Sequence, residues 1–156
     1  MAIRLATADD LEQVKSILAP TEITELIDER ALVDRRHVIV CSNDALCRIV
    51  RHLDAFEVLW LYPREGTREA LAPVLAAALL EVPARFPGEG DTWIRATFDG
   101  LPQGDESDKP DAQTVRNLCL AWQEVFTKAK VYPQRGVWYI GSTLDQALAV
   151  AKRLGG

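Results

Sequence analysis

Between Asp54 and Val82 the chain passes from a strand into a helix through a tight turn, and this junction restricts the folds open to it. The run Phe56-Glu57-Val58-Leu59-Trp60-Leu61-Tyr62 is mostly apolar, and Pro63-Arg64-Glu65-Gly66-Thr67 supplies turn residues. Leu71, Val74, Leu75, Ala78, Leu79 and Val82 then fall at i, i+3, i+4, i+7 spacing, which predicts a helix over Thr67–Val82 with one buried face. A strand that feeds a helix in this way aims unpaired backbone N–H groups, and the positive end of a helix dipole, past the strand end. That arrangement suits an anion, pyrophosphate being a common one. It equally suits an ordinary β-turn-α unit of an α/β core.

The flanking segments fix the strand directions. Ile3-Arg4-Leu5-Ala6 alternates as a short strand, and Thr7 with Asp10 makes a capping-box-like start for a helix carrying Leu11, Val14, Ile17 and Leu18 on one face. Pro20 ends it, and a second helix from Thr21 would point Ile23, Leu26, Ile27 and Ala31 inward. His37–Cys41 and Leu46–Arg51 are β-branched runs joined by Ser42-Asn43-Asp44-Ala45, a hairpin connection. These two strands and Phe56–Tyr62 follow one another too closely to be parallel, so they form an antiparallel set. The helix after Pro63 is long enough to be a crossover, so Thr92–Phe98 can lie parallel to the strand before it. Asp99–Asp111, rich in Gly, Pro and acids, reads as an exposed loop and a candidate lid.

A helix from about Ala112 would turn Val115, Leu118, Cys119, Trp122, Val125, Phe126 and Ala129 inward. A hairpin, Val131-Tyr132 to Val137–Ile140, comes next. Ser142 and Thr143, with Gln146 at the capping-box position, start a final helix burying Leu144, Ala147, Leu148, Ala151 and Leu154.

Composition excludes several classes. A chain of 156 residues, 48% apolar, suits one domain spanning 1–156 with a single sizeable core. No run approaches the roughly 18 apolar residues of a membrane span, and no basic-then-apolar leader opens the sequence, so a cytoplasmic protein without membrane association is expected. A net charge of −5 argues against nucleic acid as a partner. Cys41, Cys47 and Cys119 lie in apolar segments without Cys-x-x-Cys spacing and read as reduced, buried side chains. His37 and His52 lack metal-ligand spacing, so no metal is expected, and neither a Gly-x-Ser-x-Gly elbow nor a nucleotide-binding glycine motif occurs.

The order strand, helix, helix, three antiparallel strands, helix, strand, helix, strand pair resembles the GCN5-related N-acetyltransferase (GNAT) superfamily over roughly the first 140 residues. The opening Ile3-Arg4-Leu5-Ala6-Thr7-Ala8-Asp9-Asp10-Leu11 looks especially like the family's first strand and helix start. The resemblance implies an α/β (α+β) fold: a mixed, mostly antiparallel central sheet flanked by helices, here with an extra C-terminal helix. It also implies acetyl-CoA as co-substrate, with the pyrophosphate cradled at the turn after the fourth strand. In the family that turn commonly reads Arg/Gln-x-x-Gly-x-Gly/Ala. Here it reads Tyr62-Pro63-Arg64-Glu65-Gly66-Thr67-Arg68-Glu69-Ala70, which carries Arg64, Gly66, Thr67 and Arg68 over as cofactor contacts but puts Arg68-Glu69 where small residues usually stand. For Arg64 and Arg68, solvation at a helix start is the alternative role.

By the same resemblance the thioester oxygen meets a backbone N–H of the fourth strand, at Leu61 or a neighbour such as Trp60. Phe126 stands where the family has the tyrosine that protonates the departing thiolate, and Lys130 where it has glycine. Tyr132 or Tyr139 would then have to supply the hydroxyl, unless both are packing residues. Glu57 is the one acid within the fourth strand and a candidate base if burial raises its pKa, or else an ion-paired residue opposite Arg48 or Arg51. Two functions are therefore expected from this sequence. One is an acetyl-CoA-dependent N-acetyltransferase acting on a small-molecule or protein amine, with Glu57 and Tyr132 catalytic. The other is a catalytically degenerate protein of the same fold that binds a protein partner or a second copy of itself through exposed Trp or Tyr side chains.

Overall fold

In the computed structural model, residues 3–19, 30, 32, 34, 36–52, 54–64, 68–97, 117–118, 121–122, 130–134 and 137–155 are described. The strands are β1 (Arg4–Leu5), β2 (His37–Cys41), β3 (Ala45–Arg51), β4 (Ala55–Pro63), β5 (Trp93–Thr97), β6 (Lys130–Gln134) and β7 (Val137–Thr143). They form one sheet in the order β1-β2-β3-β4-β5-β7-β6. The helices are α1 (Leu11–Leu18), α2 (Leu71–Arg85) and α3 (Leu144–Gly155). As the close connections require, β2, β3 and β4 are antiparallel, and the crossover through α2 makes β4 and β5 the parallel pair. The sheet is thus mixed and mostly antiparallel.

Each face of the sheet carries its own core. Val14, Ile17 and Leu18 of α1 pack with Leu32, Ile39, Leu46, Leu59, Trp60 and Tyr62 on one side. The other side is filled by the predicted stripe of α2, with Val38, Phe56, Val58, Leu61 and Ile94 beneath it and Leu144, Ala147, Val150 and Ala151 of α3 against it. At the start of α1, the Thr7 backbone N–H and hydroxyl donate to Asp10 Oδ2 at 2.7 and 3.2 Å, the capping box its sequence suggests. The box at α3 belongs to Thr143 alone: its N–H donates to Gln146 Oε1 at 3.1 Å, and the Gln146 N–H donates to Thr143 Oγ1 at 3.2 Å.

Several boundaries differ from the sequence reading. A 3-10 turn, Arg68–Ala70, precedes α2, which starts at Leu71 rather than Thr67 and continues past Val82 to Arg85. Pro83 is accommodated in its last turn, and the Phe86 N–H closes the helix on Val82 O at 2.8 Å. β7 continues beyond Ile140 because β5 pairs with it through Trp93↔Thr143, a long-range ladder that local spacing does not reveal. Leu154, expected inward, is 40% exposed at the end of α3. The second helix from Thr21, the loop Asp99–Asp111 and most of the helix after Ala112 lie outside the described residues. No helix among the described residues is long and apolar enough to cross a membrane.

On β7, Gly141 stands opposite Arg95 of β5. A Cβ there would lie 2.5 Å from Trp93 Nε1 and 2.6 Å from the Ile94 carbonyl oxygen, and the latter, being backbone, cannot swing aside. Gly141→Ala is therefore expected to destabilise the protein by ~1–3 kcal/mol through strained pairing of β5 with β7. Urea unfolding of the variant and the parent protein measures the difference.

Candidate functional site

The site begins with one residue too many in β4. Val58 faces Ile49 and Trp60 faces Arg48, so Leu59 is a bulge in the ladder with β3. Leu59 and Trp60 consequently both join the α1-side core, whereas Val58 and Leu61 belong to the α2 side. On its other edge, among the described residues, β4 pairs with β5 through Ala55↔Trp93, Phe56↔Ile94 and Glu57↔Arg95. Beyond Glu57 no further pair with β5 occurs among the described residues, and β4 runs on to Pro63.

Hydrogen-bond alternation identifies the groups on the open edge. The Arg64 N–H donates to Asp44 O at 2.6 Å and the His52 N–H to Ala55 O at 2.8 Å, which fixes the phase of the ladder at both ends. Tyr62 and Trp60 then spend their backbone groups on Leu46 and Arg48 of β3, while the N–H and C=O of Leu61 point away from β3. Asn117, 1% exposed, donates its side-chain Nδ2 to that Leu61 carbonyl. Pro63 has no N–H to offer. Leu61 thus directs its backbone N–H away from β3 between the bulge and the turn.

Glu57 and Arg95, the last paired residues, make the vertex of the splay. Glu57 is 3% exposed, and its Oε1 lies 3.0 Å from Arg95 Nε and 2.9 Å from Nη2. A carboxylate so deeply placed needs such a two-point partner, because burying a lone charge costs several kcal/mol. Asp54 adds a second carboxylate 3.5 Å from the guanidinium, and His52 Nε2 stands 3.7 Å from Glu57 Oε2. The partner of Glu57 is therefore Arg95, not Arg48 or Arg51. Arg48 lies over the Trp60 ring at 4.5 Å with its Nε 3.3 Å from His37 Nδ1, and Arg51 pairs with Glu89 at 2.9 Å. The Arg51 guanidinium holds the Glu89 carboxyl below the usual carboxylate range.

The remaining predicted residues are placed as follows. Arg64 leaves the end of β4 and turns toward α1, its Nη1 donating to Ser16 Oγ at 2.7 Å and its Nε to Asn43 O at 2.9 Å. Gly66 and Thr67 lie outside the described residues, as does the side chain of Arg68, whose backbone opens the 3-10 turn before α2. Tyr132 is paired with Tyr139 across the β6–β7 hairpin, and its side chain is likewise outside what is described. Burial pushes the Cys41 thiol up to about 11 and raises Cys47 further, so neither is a nucleophile at neutral pH. Among the described residues no cluster of His, Cys, Asp or Glu is arranged to hold a metal ion.

Sequence reasoning missed Asn117 and Arg95. An Asn beside inward-facing Leu118 was the available signal, but on a helix that residue type usually faces water. Arg95 acquires its role from a parallel register that only the crossover creates.

Three solved structures share this architecture. An aminoglycoside 6'-N-acetyltransferase from Enterococcus faecium aligns with a TM-score of 0.60, covering 92% of this chain and 97% of its own at 12% identity. The PaiA N-acetyltransferase from Thermoplasma acidophilum, in complex with coenzyme A, gives 0.54 over 91% and 98% at 14% identity. Another aminoglycoside 6'-N-acetyltransferase, complexed with coenzyme A, gives 0.54 over 92% and 97% at 12% identity. No family model and no curated protein matches by sequence. The fold is the one these N-acetyltransferases adopt, and the C-terminal helix α3 is present and packs on α2.

Separating the vertex pair tests the electrostatics of the site. Arg95→Met should cost ~3–5 kcal/mol by stranding the Glu57 charge, whereas Glu57→Gln combined with Arg95→Met should recover most of that loss. Chemical denaturation of the two single variants and the double variant provides the cycle.

Proposed function

We propose that the protein is an acetyl-CoA-dependent N-acetyltransferase that acetylates an amine of a small molecule or a protein. The observation that carries this reading is the parting of β4 from β5 beyond Glu57 and Arg95, which leaves the Leu61 N–H directed into the gap. Acetyl-CoA supplies the thioester, and the Leu61 N–H is placed to hold its oxygen as negative charge develops there during attack by the amine. The turn after β4 receives the pyrophosphate, with Gly66 and Thr67 offering backbone groups and Arg64 and Arg68 offering positive charge. For Arg64 this role requires release from Ser16 and Asn43.

Glu57 is the base in this proposal. It lies on the α1 face of the sheet at the vertex, roughly 11–13 Å along β4 from Leu61, so it accepts the amine proton through water rather than by direct contact. Arg95 orients its carboxylate. Tyr132 is assigned to return a proton to the CoA thiolate, since Phe126 cannot. The amine acceptor approaches between α1 and the β6–β7 hairpin, and the aminoglycoside acetyltransferases of similar fold favour small amines as the class to screen first.

One observation favours the non-catalytic alternative, a binding protein on the same scaffold. Two of the charged groups assigned to chemistry already have internal partners, Glu57 with Arg95 and Arg64 with Ser16 and Asn43. Trp60, Tyr62 and Trp122 are buried, so an aromatic contact with a partner would fall to Trp93, which is half-buried, or to Trp138, whose side chain lies outside the described residues.

Calorimetric titration with acetyl-CoA and with CoA discriminates the two. Micromolar binding that disappears in Gly66→Pro is expected for the transferase, and absence of heat at high ligand concentration would favour the binding protein. In a free-thiol release assay across a panel of amines, Glu57→Gln should lower kcat by about 100-fold or more with little change in the KM for acetyl-CoA.

A further inference from the structure

Behind the vertex of the splay, on the α2 side of the sheet, lies a cavity that the transfer of an acetyl group does not use. Val58, Ile94, Leu75 and Leu79 of α2, Leu118 and Trp122 line it, and Arg95 and Ser142 border it. Its surface is almost wholly apolar. Val58 is the first residue of β4 beyond the last pair with β5, so the cavity adjoins the place where the strands separate. Trp122, 6% exposed, contributes a buried indole Nε1–H that meets no hydrogen-bond acceptor among the described residues.

We infer that this cavity receives the tail of a donor acyl group longer than acetyl, so that the protein accepts medium-chain acyl-CoA thioesters. The inference rests on the transferase reading, because the thioester must first be seated at Leu61. From there to Val58 is roughly 8–10 Å along the strand, a span that the single methyl of an acetyl group cannot cover and that a chain of about six carbons can. Val58 and Leu61 both face the α2 side, so a chain leaving the thioester carbon along β4 stays on the face where the cavity lies. Chemistry at the carbonyl is unaltered: the amine nitrogen bonds to the acyl carbon, the carbon–sulfur bond breaks, and CoA leaves as the thiol carrying a proton. Each methylene moved from water into this lining adds binding energy, so chain length is expected to set donor preference.

The test is calorimetric titration with CoA, acetyl-CoA, butyryl-CoA and hexanoyl-CoA. Hexanoyl-CoA is expected to bind about tenfold more tightly than acetyl-CoA, a fraction of what full burial of four methylenes would give. Ala147, in the α3 wall, provides the control, since Ala147→Leu fills the cavity and should bring the hexanoyl-to-acetyl ratio near one. Leu79→Ala enlarges it and should move the preferred chain length upward, which keeps the idea testable if the filled variant does not fold. Binding of CoA and acetyl-CoA with no gain for longer chains overturns this inference and leaves the transferase reading standing. Failure of all four ligands to bind overturns both.

Discussion

The arrangement of the site depends on the failure of β4 and β5 to stay paired. Parallel strands that begin in register normally continue so, because each further residue satisfies backbone groups that would otherwise be left open. In β4 the bulge at Leu59 interrupts this. The extra residue bends the strand and raises its local twist, turning its C-terminal half away from β5. The edge groups of Leu61 are thereby left for other partners, and Asn117 takes the carbonyl. A straight β4 would spend those groups on the sheet and close the gap.

The vertex sets the electrical character of that gap. Glu57 and Arg95 occupy the last paired position, where the strands still hold both side chains in register, and Asp54 and His52 border them from the β3–β4 connection. Charges this deeply buried are poor stabilisers compared with apolar residues of the same volume, so their presence at the one point where the sheet opens is better accounted for by polarity at the site than by stability. Opposite them, on the α2 face, the lining is apolar. The two faces of the splay therefore differ in kind, charged toward α1 and greasy toward α2, which suits a reaction joining a polar amine to the acyl end of a thioester.

Most of the architecture was legible because it rests on local spacing. The α2 stripe from Leu71 to Val82, the short β2–β3 connection at Ser42–Ala45, and the capping residues Thr7, Asp10, Thr143 and Gln146 are each decided within a few residues of chain. Leu61 was also reachable, since its place on the fourth strand follows from strand order. Glu57 was recognised as the acid of that strand, but its partner was sought on β3, because antiparallel neighbours can be inferred from close connections whereas the parallel register with β5 cannot. The bulge left no clear mark in Val58-Leu59-Trp60-Leu61: four large apolar residues in a row fit either face, and only packing against the two cores decides which side Leu59 takes.

The sequence by itself determined the succession of strands and helices, the directions of β2, β3 and β4, and the crossover that makes β5 parallel, since each follows from short-range periodicity and connection length. Tertiary structure alone decided where β4 leaves β5, which guanidinium meets Glu57, and that Arg64 turns to Ser16 and Asn43. The physical reason is that these are choices among partners far apart in the chain and similar in chemistry. Simultaneous packing of both faces of the sheet selects among them, and no window of neighbouring residues contains that information.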